Sequence, residues 1–258
     1  MFASAFPPEK SATTLALLLV VEASTTAGSV ALFADGAPVA MRAVSMGPGR
    51  EDQLFPAVQS VLADAGVTAP RLSGVVCGAG PGSFTSLRIA ASIAKGLAHG
   101  ASVPLFAVSS LLLAAADAVE VADAGPAVGQ AVGQAVGHAV VHAVVHADAL
   151  RGERYVLDVV LDANGQVGAQ SALQRMSLDQ LRLHAAGRPR LAVLSSPTPD
   201  LETRVVTPWS TNLLRVASTE WAGAVALDSW EPQYGRLAEA QVKWEASHGA
   251  PLPAHDAA

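Results

Sequence analysis

Seven apolar residues in succession, Leu15 to Val21, end abruptly on Glu22. A short run of this kind, rich in Leu and Val, reads as a buried strand. Ser24-Thr25-Thr26-Ala27-Gly28 then leads into a second strand, Ser29 to Phe33. Asp35-Gly36 is a strong hairpin signal that returns the chain into a third strand, Pro38 to Ser45. Lys10 ahead of the apolar run has the look of a short signal peptide, but Glu22 follows at once and Val30 to Phe33 supplies the second arm of a hairpin. Residues 1–13, with paired prolines and no periodicity, read as a loose extension.

Beyond the meander the period changes. Leu54, Phe55, Val58, Val61, Leu62 and Ala65 form one stripe at helical spacing within Glu51 to Ala65, and Gly66 stops it. Leu72 to Cys77 is a short apolar strand, followed by the tight loop Gly78-Ala79-Gly80-Pro81-Gly82. A helix over Thr85 to Ala98, a strand over Val103 to Val108 and a helix from Leu111, capped by Ser109 or Ser110, come next. Three meandering strands, then helix, strand, helix, strand, helix is the order of the ribonuclease-H-like core, which actin-like ATPases and sugar kinases duplicate. The predicted class is therefore α/β, an actin-like ATPase fold of two related halves.

The second half is expected to be smaller. Residues 127–146 are low in complexity: Ala-Val-Gly-Gln recurs and passes into Ala-Val-Val-His, a period of four that suggests tandem expansion at a surface connection. Arg154 to Leu161 reads as a strand, Asp162-Ala163-Asn164-Gly165 as a turn, Leu178 to Ala185 as a helix, Leu191 to Ser195 as a strand and Thr211 to Trp221 as a helix. The expected division is an extension over 1–13, a first domain over 14–116, a second over 117–227 with 127–146 as an insertion, and a polar tail over 228–258.

Composition narrows the function. The 258 residues are 51% hydrophobic but only 5% aromatic, so the core packs small side chains. The formal charge is −6 and the only lysines are Lys10, Lys95 and Lys243, a poor set for neutralising phosphates. Any role on RNA thus calls for a partner. No stretch reaches the ~20 apolar residues of a membrane span. The single cysteine, Cys77, excludes an intramolecular disulfide, suits a reducing cytoplasm, and sits in an apolar run that reads as buried strand.

The most informative run is Gly80-Pro81-Gly82-Ser83-Phe84-Thr85-Ser86-Leu87-Arg88-Ile89. Its glycines permit a sharp turn and a close approach, and the helix that follows points amides at an anion; the bland alternative is a strand-to-helix turn capped by Ser83 or Thr85. Together with Ala94-Lys95-Gly96-Leu97-Ala98, Val108-Ser109-Ser110-Leu111 and Asp148-Ala149-Leu150-Arg151-Gly152-Glu153-Arg154-Tyr155, the run resembles the TsaB family in order and spacing. The resemblance is good from residue 15 to about 160, with Ser86 and Ala90 standing where the family usually has glycine. It implies a non-catalytic subunit that pairs with and activates a TsaD-type transferase. With a TsaE-type ATPase, that pair places threonylcarbamoyl on tRNA adenosine, and tRNA is met only through the complex. Alone, such a chain is a possible homodimer. Asp148, Arg151, Gly152 and Glu153 form the second signature, for which a charged β-turn is the plain reading.

Around ATP phosphates, actin-like kinases place a carboxylate beside a glycine-rich hairpin. Glu22, Ser24, Thr25 and Thr26 keep the acid and hydroxyls but lack the early glycine, and no second acidic loop follows, so a vestigial nucleotide loop is expected, with no cofactor and no catalytic residue. A stand-alone actin-like kinase or acyltransferase, and more distantly a peptidase, are the alternatives. His138, His142 and His146 recur at a spacing that shares one face of a strand or helix, yet the repeat explains the spacing without a metal. On the helix over residues 85–98, Ile89, Ile93 and Leu97 are expected to fill the core. Ala91, Ala94 and Ala98 would then face outward as a close-packing surface for a partner helix.

Overall fold

The computed structural model describes residues 16–47, 49–50, 53–120, 140–149, 151–193, 203–234 and 247. β1 (Leu17–Glu22) pairs antiparallel with β2 (Ala27–Ala34), and β2 pairs antiparallel with β3 (Ala37–Ser45). Their hairpin turns at Asp35 and Gly36, with φ of 48° and 82°, the doubly positive geometry that matches strand twist. On its other side β1 pairs parallel with β4 (Gly74–Gly78), which pairs parallel with β5 (Leu105–Val108). Between these strands run α1 (Leu54–Asp64) and α2 (Phe84–Ala101), and α3 (Ser110–Glu120) follows β5.

β1 explains its own composition. Leu17, Leu19 and Val21 belong to the core that holds α1 and α2, while Leu18 and Val20 belong to the core on the opposite face. A strand covered on both faces must be apolar at every position.

A second sheet repeats the plan with β6 (Val141–Asp148), β7 (Glu153–Leu161), β8 (Val167–Ala169), β9 (Gln174–Ser177), α4 (Leu178–His184), β10 (Arg190–Val193) and β11 (Arg204–Val206). β12 (Ala224–Val225) returns to the edge of the first sheet beside β5. The orders are β12-β5-β4-β1-β2-β3 and β11-β10-β6-β7-β8, with β9 also on β7. In both, the first strand of a meander is central, with its hairpin partners on one side and parallel strands on the other. This is the duplicated α/β, actin-like arrangement read from the element order. α3 lies between the sheets, its Leu111, Leu112, Leu113 and Val119 sharing one core with Leu18 and Phe33 of the first sheet and Val145 and Leu157 of the second. The outer face of the second sheet carries Val144, Val156 and Met176 under Leu181 and Ala185.

Four expectations change. The histidine-bearing end of the repeat is no surface connection, because Val141–Asp148 is a central strand of the second sheet. A period of four is a multiple of the strand period of two, so Val141, Ala143 and Val145 face α3 while His142, Val144 and His146 face outward. Residues 127–139, with His138 and the Ala-Val-Gly-Gln units, lie outside the described residues. A boundary after residue 116 would fall inside α3, so we propose that the two units divide by sheet, with α3 as the shared layer. Thr211 to Trp221 is not one helix but two 3-10 turns, Ser210–Arg215 and Ser218–Glu220. Ala217 N–H donates to the Val167 carbonyl at 2.8 Å, which pulls the chain out of helix between them. Finally, the first part of the expected tail is packed: Trp230 joins the first core and the Tyr234 ring sits 4.6 Å from that of Phe84.

His146 is fully buried on the outer face of β6, and neither ring nitrogen has a hydrogen-bond partner among the described residues. Burial, reinforced by the charges of Arg154 and Arg190, lowers its pKa to about 4. A base whose folded pKa is depressed contributes full stability above its unfolded value of 6.5 and loses it as pH falls towards 4. Urea titrations between pH 7.5 and 4 should show His146→Leu at least as stable as wild type at pH 7.5 and progressively more stable, by up to about 3 kcal/mol, at pH 4.

Candidate functional site

Glu22, the acid of the expected nucleotide loop, ends β1 and is fully buried. Its Oε1 accepts from the Ser24 amide at 2.5 Å and its Oε2 from the Ser110 hydroxyl at 2.8 Å. Burial raises its pKa above the usual carboxylate range, and the hydrogen bonds from Ser24 and Ser110 pull it back only in part. An acid placed this way does not meet solvent. Ser24 and Thr25 are buried beside it, Thr25 Oγ1 closing a local turn with Ala27 at 3.0–3.1 Å, and Thr26 alone of the four is exposed.

The signature run forms the lid. A side chain at Gly78 would collide with the Glu22 carboxylate, and one at Gly82 with the Ser24 backbone. Gly80 has a φ of 83°, and a Cβ there would stand 2.6 Å from the Gln233 carbonyl oxygen. Two amides of the loop are occupied by protein. Gly80 N–H donates to Ser110 Oγ at 3.0 Å and Ser83 N–H to the Ser24 carbonyl at 2.8 Å. Ser83 is the N-cap of α2, with Ser86 as its partner, as the plain reading of the turn has it. Pro81 lies in this loop behind a cis bond and Thr85 is exposed. The glycines serve close packing of protein on protein, and the loop covers the acid.

Two participants escaped sequence reasoning. Ser110 reads as a helix cap, yet its hydroxyl bridges Gly80 and Glu22. Gln233 lies in the supposed tail, yet its N–H donates to the Ala79 carbonyl at 2.8 Å. The Asp148 to Glu153 signature is a hairpin between β6 and β7, turning at Arg151 and Gly152 with φ of 51° and 80°. Asp148 pairs with Arg154 at 2.9 Å and Glu153 with Arg175 at 3.2 Å, so its charges are engaged within the sheet. His142 contacts Gln170 at 2.7 Å, and no group of three or more metal-ligating side chains occurs among the described residues.

The faces of α2 are the reverse of expectation. Ala90, Ala94 and Ala98 are fully buried in the first core and Ala91 is 4% exposed, while Ile89, Ile93 and Leu97 are only partly buried at its margin. Leu17, Leu19, Val21 and Val75 on the sheet already fill the layer, so the helix face that meets them must be small. Ala91, Ala94 and Ala98 are therefore not a partner surface; the bulky stripe is the side that looks outward. Across it runs a strap, residues 230–234, with Glu231 bound to Lys95 at 3.2 Å and Pro232 buried.

Two related α/β sheets, with Glu22 buried under the loop before α2, define an actin-like fold. Its relatives narrow this further. Residues 50–151 match the family model described as TsaD: tRNA N6-adenosine threonylcarbamoyltransferase. The "tRNA threonylcarbamoyladenosine biosynthesis protein TsaB" of Escherichia coli (strain K12) is 38% identical over 96 residues, 37% of this chain and 41% of that protein. Those of Haemophilus influenzae and Bacillus subtilis are 35% and 33% identical, over 40% and 39% of this chain and 44% of each relative. The matches thus span less than half the length of these curated relatives. The solved structure "YeaZ from Pseudomonas aeruginosa" has the same fold, with a TM-score of 0.65 and 24% identity over 85% of this chain and 99% of that one. A second, "an uncharacterized protein with similarity to peptidase YEAZ from Pseudomonas aeruginosa", gives a TM-score of 0.66 and 24% identity, covering 86% and 100%. The resemblance to the TsaB family carried by the motifs is borne out in the chain's relatives.

Glu22 has a folded pKa above its unfolded value, so the stability tied to it is complete at low pH and is lost as pH rises through the folded value. Glu22→Gln should therefore gain stability relative to wild type as urea titrations move from pH 5 to 8. Gly82→Ala should cost about 1–3 kcal/mol, since the atom in the way is backbone. Ala94→Arg should abolish the cooperative melt, because a guanidinium is forced against the sheet.

Proposed function

We propose that this chain is a non-catalytic subunit in tRNA threonylcarbamoyladenosine synthesis, pairing with and activating a TsaD-type transferase. The observation that carries the reading is the sealed Glu22. The topology suited to a nucleotide cleft is kept, while its acid is satisfied by Ser24 and Ser110 beneath a closed loop. The relatives' names supply the pathway, and the charge of −6 argues that tRNA is met through the complex. A TsaE-type ATPase would complete the set in the cytoplasm, and self-pairing of the free chain would use the surface that otherwise takes the partner.

That surface is the outer side of α1 and α2. Phe55 is 48% exposed on α1, and Ile89, Ile93 and Leu97 line α2, whose alanine face is already spent on the sheet. A related subunit presenting an equivalent pair would bury these stripes together.

The reading is tested by purifying the chain with and without its own TsaD-type protein. The isolated chain should show no ATP turnover above that of its Glu22→Gln variant, while adding it should switch on tRNA modification. Ile93→Asp should remove co-elution and activation with the melt unchanged. Steady turnover lost in Glu22→Gln would make the chain an enzyme.

A further inference from the structure

The loop over Glu22 has little of its own to stay shut with. Gly78, Gly80 and Gly82 bring no side chain, and glycine gives up the most conformational freedom when it is ordered. Pro81 is the one bulky side chain before the N-cap of α2, and it is buried. On the inner side the loop is tied by polar bonds. Ala79 N–H donates to the Val108 carbonyl at 2.7 Å, Gly80 N–H to Ser110 Oγ at 3.0 Å, and Ser110 N–H to the Gly80 carbonyl at 3.0 Å.

From outside, the strap brackets it. At the start of the loop, Gln233 N–H donates to the Ala79 carbonyl at 2.8 Å, and the Gln233 carbonyl oxygen lies over Gly80 where a Cβ would meet it. At its end, where α2 begins, the Tyr234 ring rests 4.6 Å from that of Phe84. Two successive residues thus hold both feet of the loop. The strap is itself secured twice. Inward, Trp230 packs on the first core and Pro232 is buried. Outward, the Tyr234 hydroxyl donates to Glu231 at 2.7 Å, Lys95 pairs with Glu231 at 3.2 Å, and Arg88 hydrogen-bonds Tyr234 with its guanidinium carbon 5.9 Å from the ring centroid. A groove of about 440 Å³ beside Ile89, Ser92 and Ile93 stays open between strap and helix, so these outward contacts bear on the end of the strap and not on the core.

We propose that Gln233 and Tyr234 are positioning residues of a clamp that keeps the loop from Ala79 to Ser83 closed over Glu22, and that the outward clasp on Tyr234 sets how often the loop opens. Glu22 is then kept from water by a device at the surface as well as by the packing beneath it. Loosening the clasp opens the loop locally while both sheets stay folded, as expected of a segment with few apolar contacts of its own. The clamp works within this chain and is independent of the pairing proposed above.

Amide hydrogen exchange on the full chain tests this. The reporters are Gly80, Ser83 and Ser110 in and under the loop, with Leu19 of β1 and Val76 of β4 as controls. Tyr234→Ala should speed exchange at the three reporters about tenfold and leave the controls unchanged. Glu231→Ala, which loses the hydroxyl and lysine contacts but keeps the ring on Phe84, should speed them about threefold. Tyr234→Phe keeps the ring and should restore most of the protection lost in Tyr234→Ala. Loop amides that hold their wild-type rates in Tyr234→Ala overturn the clamp, whether or not the strap's own amides accelerate. Equal acceleration at Leu19 and Val76 also overturns it, as the mark of a general loss of stability.

Discussion

A carboxylate with no access to water organises the centre of this molecule. Removing Glu22 from solvent costs several kcal/mol, and the upward shift of its pKa says that the donors around it do not recover the whole cost. What they fix is geometry. Ser24 comes from the turn after β1 and Ser110, 88 residues beyond Glu22, from the start of α3, so one carboxylate draws both segments together. Ser110 Oγ in turn accepts from Gly80, and Ser83 N–H reaches the Ser24 carbonyl. The loop before α2 is thereby held down from two sides, and the position of α2 follows from it.

The same loop shows why glycine content is an ambiguous signal. Glycines before a helix admit a phosphate because backbone can approach it. They admit another stretch of backbone for the same reason, and at Gly80 and Gly82 the visitor is Gln233 or Ser24. Sequence alone leaves the two occupants open, since each needs the missing Cβ. The hydrogen-bond partners decide, and here they are protein. Fold and chemistry are separate questions at this point: the strand order is kept while the groups around Glu22 bond to one another.

How much was legible in the residues follows the range of the forces. β1, β2 and the Asp35-Gly36 turn were plain, because apolar runs and turn residues act locally. The duplicated order was legible from its first half, but the second sheet was obscured by the repeat, where a four-residue period masked a strand period of two. The break after Arg215 depends on Val167, and no local rule reports a partner so far along the chain. The inversion of α2 has a similar cause. A helical wheel tells large from small, but which face meets the sheet depends on how much volume the strands bring. Here Leu17, Leu19 and Val21 bring most of it. Of the site, the acid and the loop were legible as residues; Ser110 and Gln233, which decide what they do, were not.

The strap ties these strands of argument together. Gln233 rests on Ala79 and Gly80, inside the lid over Glu22, while its neighbours Glu231 and Tyr234 stand on α2 beside the outward stripe. The lid and α2 are therefore braced by one short segment. The exposed Lys95–Glu231 pair, worth at most about 1 kcal/mol, is too weak to be the anchor. Anchoring comes from Pro232 and the backbone bond of Gln233, which leaves the side chains of Glu231 and Tyr234 to shape the groove. A surface built in this way is rigid without being part of either sheet. A role by contact, as proposed, would draw on such a face, since activation of a partner requires a surface that does not yield when the partner docks.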